Sequence, residues 1–178
     1  MTDKKNGLSG FAKAMIAASV AGALCIPCTG ILAAVAIPGF ITYVRRSKTA
    51  EARANISAIR VGITEYATRE SVTATGDLRG PVLIESLPAT PSVESVGAMK
   101  QTWPLDANPG WSAIGFEPFD PLYYSYSVTT DALANTVVIE AVGDLNDNGI
   151  RSSFAQHGHM EPSGDITWGE VIVTNELE

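Results

Sequence analysis

The chain has 178 residues, a net charge of −7 from 12 Lys and Arg against 19 Asp and Glu, and only two cysteines and two histidines. This balance excludes nucleic-acid binding, which needs a basic surface, and two cysteines cannot make the disulfide framework of a small stapled domain. The charge is unevenly spread. Residues 1–44 hold three lysines (Lys4, Lys5, Lys13) against Asp3 alone, and taking these from the totals leaves nine basic and eighteen acidic side chains, or −9, in the remainder.

Residues 1–13 form a short basic leader, similar to the n-region of an export signal. From Ala14 to Val44 no charged residue occurs, and Lys13 and Arg45-Arg46 close the run on either side. About 20 apolar residues at 1.5 Å each span a hydrocarbon core of about 30 Å, so the run reads as a transmembrane or filament-core helix. Charge alone does not orient it, because three cations stand on each side. Pro27, Gly30, Pro38 and Gly39 interrupt it, as membrane helices tolerate when neighbours satisfy the freed groups. Cys25 and Cys28 lie within it. Their spacing matches a redox pair, but hydrocarbon raises thiol pKa, and inert thiols are the expectation.

The helix continues past the charged boundary. In residues 45–70, Ile56, Ile59, Ile63 and Tyr66 recur at spacings of three and four, while Arg53, Arg60 and Glu65 fall elsewhere. That is an amphipathic stripe seeking a partner surface. One helix of about 55 residues from Lys13 to Arg69 is expected, apolar all round and then amphipathic. Residues 71–121 carry much turn chemistry (Thr75-Gly76-Asp77, Gly80-Pro81, Leu87-Pro88, Thr90-Pro91, Asn108-Pro109-Gly110, Asp120-Pro121) and read as a mostly irregular connection pinned by Trp103, Trp111 and Phe116. In residues 122–178, Leu122–Thr129, Asn135–Val142, Ser152–Gln156 and Ile166–Thr174 read as three or four strands of an antiparallel meander. The predicted fold is α+β: a long N-terminal helix packed on a C-terminal antiparallel sheet, with residues 45–178 as one head. The head's roughly 130 residues suffice for a core of its own. Its net acidity speaks against nucleic acid and anionic lipid headgroups as partners for the head as a whole.

This order of parts, and above all Gly30 to Phe40 (GILAAVAIPGF) with its eight-residue step from Gly30 to Pro38, resembles the type IV pilins and pilin-like proteins. Tyr43 and Arg45–Ala52 resemble the pilin sequence that follows that segment. YYSYSVTT, AVGDLNDNGIRSSF and VIVTNELE resemble one subgroup of Gram-negative pilins. The resemblance implies an inner-membrane protein with its head outside, whose leader a dedicated peptidase cuts after a glycine. It also implies that the apolar helix, Gly30, Ala33, Ala34, Pro38, Gly39 and Phe40 included, packs against itself or related pilins in an extracellular filament. In the filament the helix often melts between the positions of Gly30 and Pro38. Inner-membrane assembly machinery and, before assembly, membrane lipid are the other implied partners.

Two departures stand out. Counting back from Gly30 puts the family's cut between Ile16 and Ala17 with no glycine before it, whereas the candidate cut at Gly10-Phe11 is six residues out of register. The family's glutamate, which neutralises a neighbour's N-terminal amine, falls at Ala21, and no carboxylate occurs between Asp3 and Glu51. A minor or divergent subunit is therefore expected. The alternatives are an exported soluble binding protein, its signal cut near Ala21-Gly22-Ala23 or Ala34-Val35-Ala36, and a single-span protein that does not polymerise.

Asp144, Asn146, Asn148 and Gly149, with Ser152 at the ninth position, match the start of a calcium loop, but Ala155 stands where the bidentate glutamate belongs. A polar turn is the first reading and a calcium site the second. His157 and His159 could face a zinc ion but lack an evident third ligand. Trp103, Trp111, Tyr123, Tyr124 and Tyr126 read as core rather than as an adhesive patch. No catalytic signature is present, and neither enzymatic activity nor a cofactor is expected.

Overall fold

The computed structural model describes residues 9–69, 71–72 and 78–178, and within them the side chains of 9–15, 19, 30–69 and 80–178. The Thr75-Gly76-Asp77 turn lies outside these, as do the side chains of Cys25, of Cys28 and of the candidate signal cut at Ala21-Gly22-Ala23. The elements in chain order are helix α1 (Gly10–Thr68), strands β1 (Ser71–Val72), β2 (Leu78–Arg79) and β3 (Leu87–Thr90), helix α2 (Pro109–Ala113), and strands β4 (Ser125–Asp131), β5 (Thr136–Gly143), β6 (Ser152–Met160) and β7 (Ile166–Thr174). The chain divides into two compact units, Met1–Tyr43 and Val44–Glu178.

In the first unit α1 begins three residues earlier than the sequence suggests. The reason is Ser9, whose hydroxyl accepts a hydrogen bond from the Ala12 N–H (3.3 Å) and whose carbonyl accepts from the Lys13 N–H (3.1 Å), the geometry of a serine N-cap. The backbone stays helical through Pro27, Gly30 and Pro38; no break separates Gly30 from Pro38. Pro38 has no N–H to offer the preceding turn, and the Thr42 hydroxyl donates to the Pro38 carbonyl at 2.9 Å. Among the described residues no helical stretch is long and apolar enough to cross a membrane; the side chains of 16–18 and 20–29, central to the apolar run, are not among them.

In the second unit the amphipathic stripe of α1 meets a sheet. Ala52, Ile56, Ile59 and Ile63 are buried in one cluster with Tyr126 and Val128 of β4, Val137, Ile139 and Ala141 of β5, and Phe154 of β6. Their spacing places them on one helical face. The alternation of β5, with Val137, Ile139, Ala141 and Gly143 inward, does the same for the sheet. All sheet pairs are antiparallel, in the order β3-β4-β5-β6-β7.

The sheet has five strands, not three or four. The additional one, β3, lies in the stretch read as irregular, where Leu87-Pro88 signals a turn. It is an edge strand, and an edge is where proline costs no ladder bond. The first meander strand starts at Ser125 rather than Leu122. The third runs on to Met160 through His157, Gly158 and His159, residues of poor strand propensity held between β5 and β7 by register. Residues 71–121 thus contain β1 to β3 and α2. Asn108 starts α2, its side chain accepting from the Gly110 N–H, and Trp111 is carried into the core. Trp103, Trp111 and Phe116 meet at ring-centroid distances of 5.4–5.6 Å, and Phe116 also meets Tyr126 at 5.6 Å. The Trp111 indole N–H donates to the Thr90 hydroxyl at 3.1 Å, tying α2 to β3. Of the aromatics read as core, Trp111, Tyr124 and Tyr126 are fully buried, and Trp103 and Tyr123 pack against the core half-buried.

Gly62 marks the tightest approach. A Cβ there would collide with the backbone carbonyl of Ile114, the residue that ends α2. Because backbone cannot yield as a side chain does, Gly62→Ala is expected to destabilise the head by about 3 kcal/mol. Urea unfolding followed by tryptophan fluorescence should show the lower midpoint with an unchanged slope.

Tyr124 and Tyr126 are fully buried. Burial pushes the Tyr124 phenol up to about 12 from its usual 10, against the opposing effect of the Ser152 hydroxyl. Burial raises Tyr126 as well, although Asn55 Nδ2 donates to its oxygen at 2.9 Å. Both folded-state values lie above the unfolded ones, so the native state retains protons that the unfolded chain loses. The associated stability is complete below about pH 10 and is lost as pH rises toward 12. The expected alkaline slope is about 1.4 kcal/mol per pH unit for each tyrosine. Tyr124→Phe should remove roughly half of it, read from urea midpoints measured across that range.

Candidate functional site

The residues picked out by sequence fall at three places. The first is on α1. Gly30, Ala33, Ala34 and Pro38 share a face by their spacing, with Phe40 beside Ala33 and Gly39 on the opposite side of the helix. All are exposed except the half-exposed Ala33. Around them Ile31, Leu32, Val35, Ile37 and Ile41 are exposed as well, and so is Tyr43. A Cβ built on Gly30 or Gly39 meets nothing within 4 Å, so among the described residues no contact requires glycine at either position. Gly10 and Phe11 occupy the first turn of α1, with Phe11 exposed.

The second place is the loop between β5 and β6. Asp144 is buried, and its carboxylate accepts from the backbone N–H groups of Asn146 (3.3 Å), Asn148 (3.3 Å) and Gly149 (2.8 Å). Asn146 Oδ1 accepts from the Asn148 N–H and Asn148 Oδ1 from the Ile150 N–H. Asp147 and Gly149 take positive φ, as the turn requires. The amide nitrogens of Asn146 and Asn148 donate to Glu178 Oε2 at 2.7 and 2.8 Å. Two segments noted separately in the sequence, GDLNDNG and the closing NELE, therefore meet. Ser152 does not join them: it is fully buried, and its hydroxyl donates to the Gly143 carbonyl at 3.2 Å and lies 3.4 Å from the Tyr124 hydroxyl. The other oxygens nominated as calcium ligands accept backbone N–H groups of the loop. Among the described residues no three His, Cys, Asp or Glu side chains converge as a metal site would need.

His157 and His159 sit neither on an edge nor in a loop. They lie on β6, one strand in from the edge, exposed on the sheet face away from α1 and opposite Val138 and Thr136. A cleft of about 760 Å³ runs between residues 82–87 and the start of α2; its titratable side chains are Tyr66 and Glu85.

The third place was not visible in the sequence. At the start of the head, Glu51 Oε1 accepts from the Tyr123 N–H (2.7 Å) and Glu51 Oε2 pairs with Lys100 Nζ (3.4 Å). Lys48 Nζ and Lys100 Nζ lie 4.4 and 5.0 Å from the Tyr123 ring centroid, each a cation–π contact. Lys48 also donates to the Ala98 carbonyl, and the Ala98 N–H donates to Asp147. Arg53 pairs with Glu176 at 2.9 Å, and Arg45 donates to the Leu177 carbonyl at 3.2 Å. The bonded partners here lie up to 132 residues apart in sequence, and no local pattern announces them. These contacts tie the helix, the β5–β6 loop and the last residues together.

No family model matches the chain, and neither the curated proteins nor the solved structures give a match to it.

Because Asp144 alone satisfies three backbone donors, Asp144→Ala is expected to cost about 2 kcal/mol, and Asp144→Asn, which keeps one acceptor oxygen, about half that. Thermal unfolding of the two variants beside the parent checks the order.

Proposed function

We propose that the chain is a structural, non-enzymatic subunit of a type IV pilus or pilus-like filament, assembling through the first half of α1, in a minor or divergent role. The observation that carries the reading is the run Gly30–Phe40, whose large apolar side chains are exposed and whose glycines answer to no contact among the described residues. It is supported by the sequence resemblance at Arg45–Ala52 and by the α+β head, a helix laid on an antiparallel sheet. On this reading the helix is apolar all round in its first half and amphipathic in its second. It rests in the inner membrane with the head outside the cytoplasm until like helices replace the lipid around it. The lack of a carboxylate between Asp3 and Glu51 removes the charge pair by which such subunits neutralise a neighbour's amine, and this favours the accessory role. Buried attraction of that kind is strong only when both partners are present.

Two measurements test the reading. Gly30→Leu and Ala34→Leu should abolish recovery of the chain in sheared extracellular filaments while leaving the urea midpoint of the head within about 0.5 kcal/mol of the parent. Unchanged filaments would refute helix packing as the function of this segment. N-terminal mass analysis of the natural product should place its start at Met1, Phe11 or Ala17. A start at Leu24 or Ile37 makes the chain an exported soluble protein instead, and an intact span never found outside the membrane makes it a non-polymerising anchor.

A further inference from the structure

We propose that Arg45, Arg46 and Lys48 form a cationic collar that receives the phosphate headgroups of anionic phospholipid, an inference resting on the membrane-seated reading of residues 14–44. The argument begins with a mismatch. Residues 45–178 hold eighteen carboxylates for nine cations, yet among the described residues the two ion pairs are Arg53–Glu176 and Lys100–Glu51. Arg45 donates to the neutral carbonyl of Leu177, and Lys48 to that of Ala98 while lying over the Tyr123 ring. Arg46 is exposed; its carbonyl accepts from the Thr49 hydroxyl, and its guanidinium has no described partner in the head. Three positive charges within four residues are therefore left without a carboxylate in a strongly acidic unit. Glu51, the nearest carboxylate in sequence, is already held by Lys100 and the Tyr123 N–H.

Position supplies the complement. Arg45 directly follows Val44, where the uncharged run ends. At 1.5 Å per residue, all three cations lie within about 6 Å of that end along the helix. With the run in hydrocarbon, that is the level of the lipid phosphates. Arg45 and Lys48 share a face, and Arg46 lies about a quarter-turn on, so the charges spread around the helix rather than along one line. Guanidinium groups bind phosphate with paired N–H donors. The head's overall −9 does not cancel this attraction, because screening confines each exposed charge to roughly 8–10 Å. The partner is thus set by the local charge and not by the net charge.

The test uses the full chain reconstituted with vesicles of phosphatidylcholine, and of equimolar phosphatidylcholine and phosphatidylglycerol. Flotation reports whether the chain enters lipid at all; spin-labelled phosphatidylglycerol against spin-labelled phosphatidylcholine reports which headgroup surrounds it. The expected result is entry into both vesicles, with a several-fold preference for phosphatidylglycerol, bounded by about fivefold per cation and falling toward parity in high salt. The preference should vanish in the Arg45→Gln/Arg46→Gln/Lys48→Gln variant and persist in Arg45→Lys/Arg46→Lys. Arg46→Gln alone, which breaks no contact in the head, should lose part of it and decides the matter if the triple variant misfolds. Entry without a headgroup preference, or a preference the variants leave intact, overturns the collar while leaving the membrane-seated reading standing. Failure to float with either vesicle overturns both. Should the triple variant instead lose chemical crosslinking between copies, with no headgroup preference in the parent, the cations face the acidic surface of a second copy and the lipid assignment falls.

Discussion

The head depends on one contact: the stripe Ala52, Ile56, Ile59 and Ile63 of α1 laid on the inward residues of β4, β5 and β6. The three isoleucines are buried to within 1%, and each contributes on the order of 1.5–3 kcal/mol relative to exposure. Neither partner is stable alone. An amphipathic helix of this length in water gains little from propensity, and a sheet with an uncovered apolar face would associate through it. Gly62 lets the helix settle against the end of α2, and Asn108 starts α2 so that Trp111 points inward. The aromatic cluster of Trp103, Trp111 and Phe116 then closes the side of the core that the sheet leaves open.

A second set of ties is polar and gathers where the head begins. Glu51, Lys48, Arg45 and Arg53 reach, respectively, to Tyr123, to Ala98, and to the residues 177 and 176 near the end of the chain. Each is worth little by itself, because exposed pairs contribute roughly 0–1 kcal/mol. Their value is geometric. The β5–β6 loop, having spent its oxygens on its own N–H groups, uses the side-chain nitrogens of Asn146 and Asn148 to hold Glu178. The loop resembles a calcium loop in its run of residues, and its Asp144, Asn146 and Asn148 oxygens accept backbone N–H groups that hold the turn.

What could be read in advance followed local periodicity. The stripe at Ile56, Ile59 and Ile63 is a three- and four-residue repeat, and β5 alternates along its length; both are visible without a partner. The β4–β5 turn is equally local: the Asp131 carboxylate accepts from the Leu133 and Ala134 N–H groups while Asn135 takes positive φ. What escaped notice was non-local. β3 is a strand only because β4 pairs with it, and β6 keeps extended geometry through His157 and Gly158 because neighbours on both sides supply its hydrogen bonds. Ser152 fitted the ninth position of a cation loop by counting, yet it begins β6 and its side chain falls on the core face, alternating with Ser153. Position in the count and direction of the side chain are separate facts, and only pairing decides the second.

Residue choice in the two units answers to different demands. In the head, Leu105, Phe119 and Leu133 stand exposed, but the glycines at close approaches and the buried tyrosines have internal reasons: Gly62 faces the Ile114 carbonyl, Gly158 lies under the Trp168 ring, and Tyr126 meets Asn55. Between Gly30 and Tyr43 the reverse holds. Ile31, Leu32, Val35, Ile37, Phe40 and Ile41 are exposed among the described residues, and a Cβ on Gly30 or Gly39 meets nothing described within 4 Å. Covering six such side chains is worth on the order of 10 kcal/mol, comparable to the whole stability of an ordinary domain. A surface of that cost calls for an apolar surrounding supplied from outside the chain. On the proposed reading lipid supplies it first and neighbouring helices later, which asks the segment to suit two apolar surroundings in turn. Small residues at Gly30, Ala33 and Ala34 fit that demand, since close approach between helices gains packing that lipid tails cannot match. The charges that begin at Arg45 then mark where the apolar surrounding ends.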